Sequence, residues 1–341
     1  MITIAPVGLS RELSPEPSAL CSVFLPQAFL LRGKPISCIL PDMSNGQKFK
    51  SGFISIIGRP NVGKSTLLNA LLGEKIAIIS DKPQTTRNRI LGIVNQPAAQ
   101  LVFMDTPGIH KPMHKMNEFM VKTALATYNE VDVILMLVEA TEPPGGGDKF
   151  IIETLSQVKT PVFLLINKVD LIKKEALLPL MQEYSKLYNF VEIIPVSALK
   201  NDLGGLLDAI LKRLPQGPKY FPDDQLTDQP ERFIVSELIR EKVFALTKEE
   251  IPYSTAVVIE EMKEEPDITR ITAIIYVERD SQKGILIGKG GGMLKKIGTL
   301  ARQEAEKLLG AKIFLQLWVK VKKGWREDEH MLKNIGIVTE E

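Results

Sequence analysis

Gly58-Arg59-Pro60-Asn61-Val62-Gly63-Lys64-Ser65 is the string that most narrows what this chain can fold into. The short apolar run Phe53-Ile54-Ser55-Ile56-Ile57 leads into it, and the helix-forming run Thr66-Leu67-Leu68-Asn69-Ala70-Leu71-Leu72 follows. Strand, glycine loop and helix in that order are what a phosphate-binding loop requires. Its glycines let backbone N–H groups turn inward onto a phosphate at the positive end of the helix. In such a loop Lys64 reaches the β- and γ-phosphates, and the Ser65 hydroxyl holds Mg²⁺. Gly58 through Thr66 are the expected phosphate contacts. A glycine-rich turn before a helix is often only a turn, but the full eight-residue pattern in this context argues against that.

The rest of the first half extends the same pattern. Leu101-Val102-Phe103-Met104, Val131 to Val138, Val162-Phe163-Leu164-Leu165-Ile166 and Glu192-Ile193-Ile194-Pro195-Val196 are short apolar runs separated by helical patterns. Such runs are strands covered on both faces, so an α/β fold with a mostly parallel sheet is expected over residues 50–218. Ligands of these sheets gather beyond the carboxyl ends of the strands. Residues 1–49 lack periodicity and hold six prolines. They read as a disordered leader or as sequence upstream of a true start at Met43; an acid-poor transit peptide also stays open. Cys21 and Cys38 both fall there, which fits a reducing cytosol rather than a disulfide framework. His110, His114 and His330 are scattered and read as surface or loop residues. No apolar run approaches the roughly 18 residues that cross a bilayer, so a soluble chain is expected.

Asn167-Lys168-Val169-Asp170 follows the third of those runs. A carboxylate at Asp170 can accept both N1–H and the exocyclic amine of guanine, a donor pair that adenine lacks, so GTP is favoured over ATP. Ser197-Ala198-Leu199 follows the next strand and fits a backbone contact to the guanine carbonyl. Asp105-Thr106-Pro107-Gly108 supplies the phosphate side: Asp105 to orient a Mg²⁺-bound water, the Gly108 N–H to meet the γ-phosphate. A loop that senses the γ-phosphate must relax when it leaves, so residues 109–120 should be mobile. In Gln84-Thr85-Thr86-Arg87, Thr86 is favoured to close the Mg²⁺ shell, with Thr85 as the alternative and plain loop hydrogen bonding as the bland reading. Ile109 stands where many GTPases place a water-orienting glutamine, which predicts slow intrinsic hydrolysis. Asn61 either helps hold a monovalent cation, K⁺, beside the phosphates or only shapes the loop.

The formal net charge of +2 conceals an asymmetry. Between Ser281 and Arg326 stand eleven Lys/Arg against two Asp/Glu, a local +9 that leaves −7 for the remainder. A basic block points to a polyanionic partner, unless it is merely a solvated lysine face. Within it, Gly288-Lys289-Gly290-Gly291 precedes a basic helix carrying Lys295, Lys296 and Arg302. A GXXG turn at a helix start lets a nucleic-acid backbone approach while apolar neighbours receive unstacked bases, the logic of a KH module. The turn is expected to have no room for a side chain at Gly290. Helical spacing over 232–247, strands over 255–261 and 271–278, a helix over 292–309 and a strand over 312–322 make residues 231–341 a smaller α+β unit. Pro215, Pro218, Pro222 and Pro230, interleaved with Asp223, Asp224 and Asp228, make the stretch up to 230 a linker, 219–230, rather than an element.

Taken in order, the phosphate loop, Gln84-Thr85-Thr86-Arg87, Asp105 to Gly108, Asn167 to Asp170, Ser197-Ala198-Leu199-Lys200 and Ile285 to Gly291 resemble the Era family of bacterial GTPases from about residue 50 onward. The resemblance implies a P-loop GTPase domain followed by a type II-like KH domain. It implies GTP/GDP and Mg²⁺ as ligands and hydrolysis assigned to Lys64, Thr86, Asp105, Gly108 and Asn61. It further implies binding of small-subunit (16S-type) ribosomal RNA near its 3′ end, a role on the pre-30S particle during 30S assembly, and a monomer. Localisation would be cytoplasmic, with peripheral contact at the inner face of the cell membrane. The rival reading is a GTPase whose basic C-terminal domain docks a protein or an anionic membrane surface; it needs the charge but not the glycine turn.

Overall fold

The strand that feeds the phosphate loop, β1 (Lys50–Gly58), lies between two parallel neighbours, β3 (Ala99–Asp105) and β4 (Val133–Glu139). The computed structural model describes residues 49–80, 87–105, 128, 131–156, 158–248 and 250–335. The expectations for the leader, for both cysteines, for His110 and His114 and for mobility over 109–120 fall outside them. With β2 (Ile90–Gln96), β5 (Val162–Asn167) and β6 (Glu192–Pro195), the first sheet runs β2-β3-β1-β4-β5-β6, with only the β2–β3 pair antiparallel.

Alternation along the strands builds a core on each face. Ile54, Ile56, Leu101, Phe103, Leu135 and Leu137 pack beneath Leu67, Leu68 and Leu71 of α1 (Lys64–Leu72). Ile57, Val102, Met136 and Leu164 face the other way, against Ile151 and Ile152 of α2 (Gly146–Leu155) and Tyr184 of α3 (Lys174–Leu187). A buried aliphatic side chain contributes about 2 kcal/mol, enough to offset ordering one residue of backbone, so uncovered faces would not hold. The strands end at Gly58, Asp105, Asn167 and Pro195, which brings the motifs that follow them to one rim. The expected strand from Val131 starts two residues late because Asp132 is committed elsewhere: its carboxylate accepts from the Phe53 N–H at 2.8 Å.

After α4 (Leu206–Arg213) the proline-rich stretch forms no helix or strand, yet it is stitched to the sheet edge. Gln100, fully buried, accepts from the N–H groups of Tyr220 and Phe221 at 2.8 and 2.9 Å and donates to the Phe221 carbonyl at 2.8 Å. Ile93 N–H donates to Leu226 O, and Leu91 N–H to the Asp228 carboxylate. Prolines remove donors from the strap, so side chains of the sheet supply part of the pairing.

The second sheet, β7-β8-β9, pairs β7 (Ala256–Glu264) antiparallel with β8 (Thr269–Val277), and β8 parallel with β9 (Ile313–Val321). Helices α5 (Glu231–Leu246), α6 (Asp280–Ile287) and α7 (Gly292–Leu309) cover one face, with Val235, Leu286, Ile297 and Ala301 meeting Ile271, Ala273 and Ile275. The segment before the glycine turn is the helix α6. Its start is set by Gln282, whose side-chain oxygen accepts from the N–H groups of Glu278 and Arg279 at 3.0 and 3.1 Å. Beyond β9, α8 (Glu329–Asn334) brings Met331 and Leu332 onto Trp325 and Ala256.

Ion pairs and one buried cation join the first body to the second. Lys75 pairs with Glu241 at 2.7 Å and Glu304 at 2.9 Å, and Lys242 pairs with the same two carboxylates. Arg87 crosses over entirely. Its guanidinium donates to the Thr255 carbonyl at 2.7 Å and to those of Tyr253 and Pro252 at 3.3 and 3.4 Å, and lies 5.6 Å from the Trp325 ring centre.

Candidate functional site

The phosphate loop begins where β1 cannot carry a side chain: a Cβ on Gly58 would lie 2.4 Å from the Leu137 carbonyl oxygen. Asn61 takes a left-handed φ of 67°, a conformation asparagine tolerates better than most residues, and is exposed. Val62 is buried beneath the loop, while Pro60, Ser65 and Thr66 are half-buried. Arg59 pairs with the fully buried Asp148 at 3.0 Å and with Glu142 at 3.2 Å. That pairing pins the Arg59 backbone, whose carbonyl accepts from the Lys64 ammonium at 2.9 Å; the Gly58 carbonyl accepts from the same ammonium at 3.2 Å. Burial pushes the Lys64 pKa down to about 8, with Asp105 pulling against it. A phosphate at the loop would reverse that shift, so the lysine is a cation set up to gain from an anion.

Ser65 Oγ donates to the Asp105 carboxylate at 2.7 Å, although the two residues are 40 apart in sequence. A hydroxyl and a carboxylate, both hard oxygen donors, at the foot of a phosphate loop suit Mg²⁺. Thr85, Thr86, Thr106, Pro107 and Gly108 lie outside the described residues.

At the end of β5, Asn167 is 2% exposed. Its amide donates to the Val62 carbonyl at 2.8 Å, and its oxygen accepts from the Ala198 N–H at 3.0 Å. One side chain thus ties the phosphate loop to the last motif. A Cβ on Gly63 would lie 2.3 Å from that amide nitrogen, so the second loop glycine is required by Asn167 as well as by its φ of 100°. Asp170 accepts from the Ser197 hydroxyl at 2.6 Å, which holds its carboxyl below the usual range and keeps it ionised. Lys168 pairs with Glu139 at 2.8 Å; burial opposes ionisation of Glu139, but Lys168 and Thr141 outweigh it. Ala198 is buried, whereas Leu199 is exposed beside the rim.

The glycine turn of the second body is built differently. A Cβ on Gly288 would meet Cβ of Met293 at 2.7 Å, so this glycine is packed. Gly290 and Gly291 have φ of 58° and 77°, and a Cβ on either would meet nothing within 4 Å. The expectation that Gly290 has no room is corrected: the space around it is open, and only its backbone conformation resists a side chain. Lys289, Lys295 and Lys296 are exposed around the turn. Arg302 lies about 10 Å beyond Lys295 along α7 and pairs with Glu306 at 2.8 Å. Arg87 and Asp148 had been assigned no role. Arg87 carried a signal in its place within Gln84-Thr85-Thr86-Arg87; the partner of Arg59 did not.

Residues 53–168 match the family model described as 50S ribosome-binding GTPase, and residues 250–326 match the KH domain model. The chain is 59% identical over 291 residues to GTPase Era of Geobacter metallireducens, covering 84% of this chain and 98% of that protein. It is 56% identical over 292 residues to GTPase Era of Heliobacterium modesticaldum, covering 85% and 98%. Among solved structures it is similar to Era in complex with MgGDPNP and nucleotides 1506–1542 of 16S ribosomal RNA, at 43% identity and a TM-score of 0.82, covering 85% of this chain and all of that one. The GDP·AlF4⁻-bound Era of Aquifex aeolicus matches at 42% identity with the same TM-score and coverage. With a GTPase model followed by a KH model along the chain, and relatives this similar over nearly their whole length, the chain belongs to the Era family of GTPases.

Proposed function

We propose that this GTPase grips the 3′ region of 16S-type ribosomal RNA through Gly288–Gly291 and acts in assembly of the 30S subunit on the pre-30S particle. The observation that carries the reading is the open turn: at Gly290 and Gly291 a sugar-phosphate backbone can approach the protein backbone, with Lys289, Lys295 and Lys296 at hand to meet its charge. The similarity to an Era chain solved with nucleotides 1506–1542 supports it. The division proposed is a GTPase domain at 50–218, a strap at 219–230 and a KH domain at 231–341, which contains both matched segments.

At the nucleotide, Asp170 accepts from guanine, the loop from Gly58 to Thr66 cradles the phosphates, and Lys64 neutralises the β- and γ-oxygens. Ser65, Asp105 and Thr86 would hold Mg²⁺, which supplies positive charge to the phosphate oxygens during transfer. Asp105 and the Gly108 N–H would present water and γ-phosphate to one another. The aliphatic Ile109 has no group to orient water, so hydrolysis unaided by a partner is slow. Asn61 is proposed to help hold K⁺ beside the phosphates; its left-handed backbone serves loop shaping equally well. Faster hydrolysis in K⁺ than in Na⁺, lost in Asn61→Ala, would support the cation role, and equal rates would remove it. The further expectations are a monomer that works in the cytoplasm and touches the cell membrane only peripherally. They follow from family resemblance, and among the described residues no helix is long and apolar enough to cross a membrane.

The test is binding to the RNA fragment spanning nucleotides 1506–1542. Gly290→Asp should weaken it at least about tenfold through charge against phosphate, with GTP affinity near wild type. RNA affinity unchanged in a folded Gly290→Asp protein would sink the reading and favour docking of a protein or anionic lipid by the basic face.

A further inference from the structure

The KH sheet has a second face, and its edge strand is decorated there in a way that packing does not explain. Along β9, Ile313 and Val319 point into the core shared with the helices, with Leu315, Leu317 and Val321 packed against it. The alternate residues Phe314, Gln316, Trp318 and Lys320 point outward and are exposed, Phe314 and Trp318 at 49% and 50%. In the register of the sheet Phe314 stands beside Arg270, and Trp318 beside Ile274. The Arg270 guanidinium lies 5.3 Å from the Phe314 ring centre. Two large rings are therefore held in water about 13 Å apart on a rigid strand, with an amide and an ammonium interleaved.

We propose that this outer face is a base-stacking platform for single-stranded RNA. The inference rests on the RNA-binding reading above and adds a second surface to it. A rigid strand presents rings at fixed spacing, and aromatic side chains on an open sheet face receive unstacked bases in other RNA-binding folds. The strand lies inside the +9 block, and the helices on either side of the turn, α6 and α7, pack on its opposite face. The cations beside the rings are shared with carboxylates, Arg270 with Glu265 at 3.0 Å and Lys320 with Glu260 at 3.7 Å. Affinity here comes from stacking rather than from phosphate neutralisation. A protein partner would want a contiguous apolar patch, whereas these rings are separated by Gln316 and followed by Lys320.

The chain has two tryptophans, Trp318 half-exposed and Trp325 fully buried, so emission quenchable by a soluble agent reports on Trp318. Binding of the 1506–1542 fragment should protect that emission. Trp318→Ala should lower RNA affinity about five- to a hundred-fold with the salt dependence unchanged, and Trp318→Phe should restore most of it. Phe314→Ala should act in the same direction. Thermal unfolding of each variant checks the fold, which exposed positions should leave intact. If Gly290→Asp weakens RNA binding while Trp318→Ala and Phe314→Ala do not, the platform is wrong and the RNA reading stands. If neither change matters, the RNA reading itself has failed. A Trp318→Ala variant that binds RNA normally but sediments differently from wild type would assign the face to a second copy of the chain and overturn the proposal.

Discussion

The rim that carries Asn167 to Asp170 and the glycine turn of the KH body are held in opposite ways. At the rim the loops are cross-braced through Asn167 to Val62 and Ala198, Ser197 to Asp170, and Ser65 to Asp105. At the turn only Gly288 is packed, and the next two glycines stand in open space. Reading a base demands donors and acceptors fixed to a fraction of an ångström, so buried hydrogen bonds are the right scaffold. Gripping a phosphate backbone demands room and a left-handed chain, which glycine supplies without side-chain contacts.

The largest break in this contrast should come from Asn167→Ala. It leaves the Val62 carbonyl and the Ala198 N–H buried without their partner, at about 1–3 kcal/mol each. GTP affinity should fall about a hundredfold or more, with a lower melting temperature. Calorimetric titration showing near-normal GTP binding would mean that the bracing is ornamental. Next come two glycine-to-alanine changes two residues apart. Gly288→Ala should destabilise by about 2–3 kcal/mol through overlap with Met293, whereas Gly290→Ala should cost only the left-handed penalty of about 1–2 kcal/mol. Equal shifts in urea midpoint would erase the distinction between packed and open glycines.

A pH experiment sharpens the rim side. The free Lys64 has a pKa of about 8, lowered by burial, and bound phosphate raises it. Below pH 8 the lysine is already charged and affinity from this source is flat. Above pH 8 binding must take up a proton, so GTP affinity should fall by up to about tenfold per pH unit. Proton uptake measured in buffers of different ionisation enthalpy checks this between pH 7 and 9, and its absence would place the nucleotide away from Lys64. The smallest effect belongs to Ser197→Ala. Losing one hydrogen bond to a carboxylate should weaken GTP binding only a few-fold at neutral pH. The Asp170 pKa, held low by Ser197, would rise, so the acid limb of the binding profile should move to higher pH.

What could be read from residues alone divides along the same line. Apolar runs ending in motif residues located four parallel strands and the rim, because local pattern and covalent order suffice for that. The helix Gly292–Leu309 begins and ends where its spacing and flanking glycines indicate. The antiparallel edge strand Ile90–Gln96 was not anticipated, since its pairing with β3 depends on a hairpin whose turn lacks a strong signal. The 219–230 stretch read correctly as proline-rich and non-helical, but its anchoring on Gln100 depends on a partner about 120 residues away. Asn167 was expected to read guanine, and its bracing role emerges only when Val62 and Ala198 are brought beside it. Gly290 shows the limit from another side, because glycine in a turn signals a backbone angle and says nothing about the space around it.

Arg87 sets a condition on how this chain can be divided or recombined. Its guanidinium caps a carbonyl 168 residues away and covers the ring of Trp325 from the other body. A KH fragment cut out at the prolines would leave the carbonyls of 252, 253 and 255 without their cation and one face of a buried tryptophan bare. Transplanting either body between relatives therefore has to carry position 87, the 252–255 turn and position 325 as one set. Modular as the two folds are, the chain is heritable in working order only with that seam intact.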